Sequence, residues 1–399
     1  MISVEAALAA VLEQARGYGD ETISLSQAVG RVLAEPLIAD RDFPPFDRVA
    51  MDGVAFRTRD FQAGRRRFPV RGVQAAGSPP LTLSEEGTCL EVMTGAVLPI
   101  GADCVVRYED LEREGGEAVI RLEAVQPWQN VHRRATDRRQ GEMLCPSGVR
   151  VGPAEVGVAA TVGKHRLRVR RLPRVALIST GDELVEVHER PQPHQIRRSN
   201  MPQLAALLRP WGVLAESFHL PDDPAHMRAA LAEVLEGFDV LVFSGAVSKG
   251  KFDHLPEVLE ALGVERLFHR VAQRPGKPFW FGVANGGGQP VFAFPGNPVS
   301  TFVCCLRYFL PWLEKSLGAH PRPYPQARLA ADFEFRPALT YFLQVQLQFE
   351  GGCWLARPLP GGGSGDLANL LQTDGFLQLP AQRTHFAAGE VFPLLPFRF

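Results

Sequence analysis

Residues able to do chemistry gather at the ends of three short apolar runs. The run 175–178 leads into Ser179, Thr180, Gly181, Asp182 and Glu183; 240–243 leads into Ser244, Gly245, Ser248, Lys249, Lys251 and Asp253; 291–294 leads into Pro295, Gly296, Asn297, Pro298 and Ser300. Carboxylates of this kind hold divalent metals, ammonium groups hold phosphate oxygens, and glycines let backbone N–H groups approach a ligand. Four apolar residues stopped by Gly-rich polar text read as a buried parallel strand. Ligands of open α/β sheets bind beyond the carboxyl ends of such strands, so the three loops predict one shared pocket. Arg270, Arg274 and Lys277 add a cationic strip at the Pro275-Gly276 turn. Pro298 suits the first position of a helix, and the unpaired N–H groups of that helix start would attract a pyrophosphate.

Positioning these loops takes alternating strands and helices, which residues 174–317 supply. Helices are predicted near 201–211, 224–236, 255–262 and 298–317, with strands near 175–178, 213–218, 239–243, 266–271, 279–283 and 291–294. This is the grammar of a doubly wound α/β domain. Ahead of it, Ser3 is placed to cap a helix carrying Val4, Ala7, Leu8 and Val11, and a second short helix is predicted from Ser26 to near Pro36. From Asp40 to about Leu144 the chain changes to short β-like runs separated by Gly and Pro, and alternation at 341–349 predicts a small β domain at the C-terminal end. The expected organisation is a multidomain α/β protein. It comprises a discontinuous linker or dimerisation domain (1–40 and 145–172), an inserted β-rich domain (41–144), the α/β domain (173–318) and a C-terminal β domain (319–399).

The bulk properties narrow the function class. A net charge of -1 over 399 residues argues against nucleic-acid binding as the main task. No uncharged apolar stretch approaches the length of a membrane span, and the first positive charge is Arg16, so a cytoplasmic location is expected. The six cysteines include no C-x-x-C pair and read as buried thiols rather than as zinc ligands or a disulfide framework.

Seven motifs in one order then carry a resemblance. They are Phe43-Pro44-Pro45-Phe46-Asp47, Ala50-Met51-Asp52-Gly53, Thr94-Gly95-Ala96, Gly101-Ala102-Asp103, the loop from Ser179 to Leu184, Pro275-Gly276-Lys277-Pro278 and the loop from Pro295 to Ser300. The chain resembles the molybdopterin molybdenumtransferases, the MoeA and gephyrin E-domain family, along nearly its whole length. The resemblance implies an enzyme of molybdenum cofactor biosynthesis that inserts molybdate into adenylylated molybdopterin and releases AMP, with Mg2+ as helper. It implies a homodimer with a shared active site, in which Asp52 and Asp137 of one subunit act on the pocket of the other, and possible contact with other proteins of the same pathway. On this reading Asp52, Asp137, Asp182, Glu183 and Asp253 are the catalytic carboxylates, with Asp182 and Asp253 on the metal. Thr94, Ser179, Thr180, Gly181, Gly245, Ser248, Lys249, Lys251, Arg270, Arg274, Lys277, Pro295, Gly296, Asn297, Pro298, Ser300 and Ser364 hold the ligand.

Several positions depart from the family pattern. Val49 and Val54 replace hydroxyl-bearing neighbours of Asp52, Ala135 and Thr136 stand where Gly and Glu are usual, Ala246 replaces a glycine, Arg198 an aspartate and Gln344 an arginine. Two rival readings follow from the same loops: the preceding adenylyl transfer, disfavoured by the extra domains, and a non-catalytic molybdopterin-binding scaffold, disfavoured by the retained carboxylates.

Overall fold

The structure, a computed structural model, describes residues 1–247 and 254–398. The chain divides into two compact units, one of residues 1–35, 148–153 and 166 to the C-terminus, the other of 36–147 and 154–165.

The first unit is built on β1 (Val175–Thr180), β2 (Glu216–Leu220), β3 (Val240–Ser244), β4 (Glu265–His269), β5 (Trp280–Ala284) and β6 (Gln289–Phe294), in the spatial order β2-β1-β3-β6-β5-β4. The first four in that order run parallel; β5 is antiparallel to β6, and β4 is antiparallel to β5 and so runs in the direction of the first four. The three apolar runs are therefore adjacent parallel strands, while the doubly wound expectation gives way at the β5-β4 edge to a hairpin.

Alternation along these strands makes two cores. Val175, Leu177, Val240, Val242, Phe292 and Phe294 face one side, where α1 (Val4–Glu13), α2 (Asn200–Leu208), α5 (Pro298–Cys304) and α6 (Leu310–Ser316) pack. Ala176, Ile178, Leu241, Phe243, Val291 and Ala293 face the other, covered by α3 (Pro224–Gly237) and α4 (Leu255–Ala261). Ser3 caps α1 as its position predicts, accepting from the Ala6 N–H at 3.1 Å. The long helix predicted over 298–317 is interrupted by a π turn, Cys305–Phe309, between α5 and α6. That turn carries Tyr308 inward, where its hydroxyl donates to the fully buried Gln273.

The C-terminal part of this unit closes on itself. Thr340–Glu350, Cys353–Pro358, Gln326–Leu329, Val391–Pro396 and Gly375–Leu379 pair in that order, and the last pairs again with the first, making a five-stranded barrel without free edges. Gln273–Arg274 adds alongside Thr340–Glu350 and ties the barrel to the turn after β4.

The helix predicted from Ser26 to Pro36 is absent beyond the single turn Leu25–Gln27. Gly30 adopts φ +87°, and Val32 and Leu33 pair with Arg150 and Val169. Tertiary pairing outweighs the weak local helix preference. In the second unit a six-stranded sheet takes the order Cys104–Arg107, Gly53–Phe56, Cys89–Val92, Arg67–Gln74, Glu117–Ile120, Leu111–Glu114. Five of the six thiols are buried and none is bonded; burial pushes those of Cys89 and Cys104 up to about 12.

Phe292 sits at the centre of the larger core, with ring centroids of Phe281, Phe309 and Trp312 at 4.9, 5.3 and 5.6 Å. Phe292→Ala is expected to lower unfolding free energy by about 3–5 kcal/mol, read from chemical denaturation. A loss below about 1 kcal/mol would show that this ring is not the packing centre.

Candidate functional site

Parallel pairing sets Ser179 opposite Ser244 and Ser244 opposite Phe294, so the three strands end side by side. Beyond those ends lies a cavity of about 710 Å³ whose walls include Ser179, Thr180, Gly181, Glu183, Gly245, Ala246, Pro295, Gly296, Asn297 and Pro298. All three predicted loops meet there. Thr180 lines the cavity and is buried, and among the described residues its hydroxyl has no hydrogen-bond partner. Gly245 is required beside it: its φ is +114°, and a Cβ there would lie 2.6 Å from Thr180 Oγ1.

The loops are locked together by a residue that the spacing of motifs does not single out. Asn200, at the start of α2, donates from Nδ2 to Ser244 Oγ at 2.8 Å and to the Gly296 carbonyl at 2.7 Å. Asp222 is a second wall residue missed in the sequence, and its N–H donates to Asp182 Oδ1 at 3.1 Å. The strand-end rule could have found it. β2 runs from Glu216 to Leu220, two residues later than the apolar pattern places it, and the loop carrying Asp222 is displaced with it.

Other expected residues take different parts. Asp182 is exposed and is not among the wall residues; one of its oxygens pins the Asp222 backbone. Ser179 turns toward β2, donating to the Phe218 carbonyl at 3.2 Å with Oγ 3.1 Å from His219 Nδ1. Burial, reinforced by Arg198, pushes the His219 pKa down, favouring the neutral ring near neutral pH, while Asp182 and Asp222 pull the other way. Ser300 is buried within α5 and lines no wall.

Among the described residues the walls include Pro278 but not Arg270, Arg274 or Lys277. The competing ion pairs with Glu257, Glu260 and Glu265 are not formed by these cations either; Glu260 pairs with Arg266. Their turn is braced from below, where Gln273 Nε2 donates to the Pro275 carbonyl at 3.0 Å. Ser248, Lys249, Lys251 and Asp253 lie outside the described residues.

The free helix start expected after Pro298 is partly used. Pro298 does open α5, but the Val299 N–H donates to the Ser364 carbonyl at 3.1 Å and Asn297 Nδ2 to Ser364 Oγ at 2.8 Å. Ser364 thus fastens the barrel to the Asn297 loop and brings Gly365 and Leu367 into the pocket wall. Gln344 is buried and accepts from Asn369 and Thr373 at 3.1 and 3.2 Å, so it braces the barrel.

In the second unit Asp52 Oδ1 accepts from the Thr94 N–H at 2.6 Å and the Thr94 hydroxyl at 2.7 Å. These donors hold its carboxyl below the usual carboxylate range. Gly53 follows because a Cβ there would collide with the Val106 carbonyl. Asp137 Oδ1 lies 2.9 Å from His132 Nε2, and His132 Nδ1 lies 3.0 Å from an Arg48 nitrogen.

Comparison with known proteins decides the family. Residues 2–163 match the profile described as "MoeA N-terminal region (domain I and II)", 176–315 "Probable molybdopterin binding domain", and 326–397 "MoeA C-terminal region (domain IV)". A molybdopterin molybdenumtransferase of Synechocystis is 41% identical over 98% of this chain and 99% of its own. The chain belongs to the molybdopterin molybdenumtransferase family. Another member, from Synechococcus elongatus, is 36% identical over 92% of each chain. The crystal structure of a molybdopterin biosynthesis MoeA protein from Pyrococcus horikoshii superposes with a TM-score of 0.83 at 31% identity, covering both chains completely. Membership places this protein in molybdenum cofactor biosynthesis as a transferase, and the pocket wall is drawn mainly from the segment matched by the molybdopterin-binding profile, with Gly365 and Leu367 added from the C-terminal region.

Because the Asp52 pKa is lowered by folding, its contribution to stability is present above the unfolded-chain value and is lost as pH falls through the folded-state value. Thr94→Val removes the hydroxyl donor and leaves the backbone donor. The Asp52 carboxyl resonance should then titrate at higher pH than in wild type, and an unchanged midpoint would assign the shift to the Thr94 backbone N–H rather than to its hydroxyl.

Proposed function

We propose that this protein inserts molybdate into adenylylated molybdopterin and releases AMP. The observation that carries the proposal is that three Gly-containing strand-end loops of the molybdopterin-binding segment meet on a cavity of about 710 Å³. Loops of this kind present backbone N–H groups to a phosphate ester. Glu183 and Asp222 are the acidic residues of the described wall. Charge that builds on the departing phosphate is then met by fixed dipoles and cations in a recessed site, the usual large contribution to such chemistry.

Lys249, Lys251 and Asp253 belong to this proposal through the family resemblance alone, as does the placement of Asp52 and Asp137 in the partner subunit's site of a homodimer. So do a cytoplasmic location and contact with other cofactor-biosynthesis proteins. No helix among the described residues is long and apolar enough to cross a membrane. Mg2+ is the proposed metal, with Asp182 and Asp253 as its ligands, and when bound it would neutralise the phosphoanhydride. Among the described residues no group of three His, Cys, Asp or Glu is placed to hold a metal ion, and Asp253 lies outside them.

The test mixes purified protein with adenylylated molybdopterin and follows AMP release on adding molybdate. Release that needs molybdate is expected, and ligand binding without release would favour the scaffold reading. Asp52→Ala should bind ligand normally and turn over slowly. Mixing it with Glu183→Ala should recover roughly a quarter of wild-type activity if the dimer shares its sites, because half the dimers are mixed and each has one intact site. Subunits that exchange without recovering activity would confine the site to one chain.

A further inference from the structure

Arg198 stands out among the wall residues. It follows the short strand Ile196–Arg197, which pairs in parallel with Leu184–Val185. The Arg198 N–H donates to the Val185 carbonyl at 3.0 Å, and the Ile196 N–H to the Glu183 carbonyl at 2.8 Å. Two residues later Asn200 begins α2 and ties down the Ser244 and Gly296 loops. The backbone of Arg198 is thus fixed on both sides, on the same small ladder that presents Glu183 to the cavity.

Its side chain is only 16% exposed, against 48% for Glu186, to which its Nη2 is paired. Among the described residues this is its sole side-chain partner, and most of the five guanidinium N–H donors find no acceptor among them. Arg197 differs: it is exposed and spends Nε on the Glu189 carbonyl. Burial pushes the Arg198 pKa down, and its field reaches His219 on the neighbouring strand. A recessed guanidinium with a single half-exposed carboxylate partner is weakly satisfied, because such ion pairs are worth little in water. A phosphate dianion offers a stronger, forked match to the same planar group.

We propose that Arg198 is a ligand-binding residue of this pocket, its guanidinium taking oxygens of a phosphate ester and releasing Glu186 as it does so. The assignment rests on the phosphate-ester reading of the pocket given above. Glu186 is then a competitor within the chain, lowering apparent affinity by occupying the cation when the pocket is empty.

Isothermal calorimetry with AMP as the probe tests this on the full chain. Wild type should bind AMP, Arg198→Gln should bind about ten- to a hundredfold more weakly, and Glu186→Gln a few-fold more tightly. The gain expected for Glu186→Gln cannot come from damaged folding, so it decides the matter if Arg198→Gln is unstable. Binding by wild type with unchanged affinity in both variants overturns the role of Arg198 and leaves the pocket reading intact, as does weaker binding by Glu186→Gln. Absence of AMP binding by wild type overturns the pocket reading and this assignment together.

Discussion

Parallel hydrogen bonding between β1, β3 and β6 brings three loops to one level. Each strand must leave the sheet where its neighbour does, so Thr180, Gly245 and Pro295 emerge beside one another whatever the rest of their loops contain. The small residues follow from that crowding. Gly245 leaves room for the Thr180 hydroxyl, which a Cβ there would approach to 2.6 Å. Asn200 bridges what the sheet alone cannot hold, since its carboxamide answers one side chain and one carbonyl on two different loops.

The parallel half of the sheet was legible because buried strands leave an unmistakable text: four or more apolar residues, then an abrupt polar turn. The bounds of β2 were not, because it is an edge strand. Its Glu216 and Ser217 are exposed, the apolar signal drifts toward Val213, and Asp222 was lost with the loop. The reversed direction of β5 was equally hidden, since strand direction is set by the connection and the partner rather than by composition. At the site, residue type was readable and orientation was not. Ser179, Asp182 and Ser300 have the expected chemistry, but side chains that alternate across a strand or turn into a helix spend that chemistry on the protein itself. Gln273 and Tyr308 could not be foreseen as braces, because a π turn that rotates one tyrosine inward leaves no pattern along the chain.

Two of the departures from the family pattern share a backbone explanation. Ala135 has φ +62° and Ala246 has φ +52°, the left-handed region that an L-residue with a Cβ occupies at a disadvantage. Each turn thus holds an alanine in a conformation that glycine would adopt freely. At Ala135 the N–H donates to the Pro44 carbonyl at 3.1 Å, which anchors the turn leading to Asp137. In the unfolded chain alanine has fewer conformations to lose than glycine, which offsets part of the strain.

The clasp between Ser364 and the start of α5 has a bearing on how such a chain can be divided or recombined in evolution. A cut after α6 would fall in proline-rich text and keep every strand-end loop, and by sequence it would look like a clean domain boundary. It would nonetheless strip Gly365 and Leu367 from the pocket and leave the Val299 N–H and the Asn297 carboxamide without their partners. The barrel is therefore part of the binding wall, and its inheritance is bound to that of the α/β domain: neither can be exchanged for a foreign copy unless the few residues around Ser364 and Asn297 travel together.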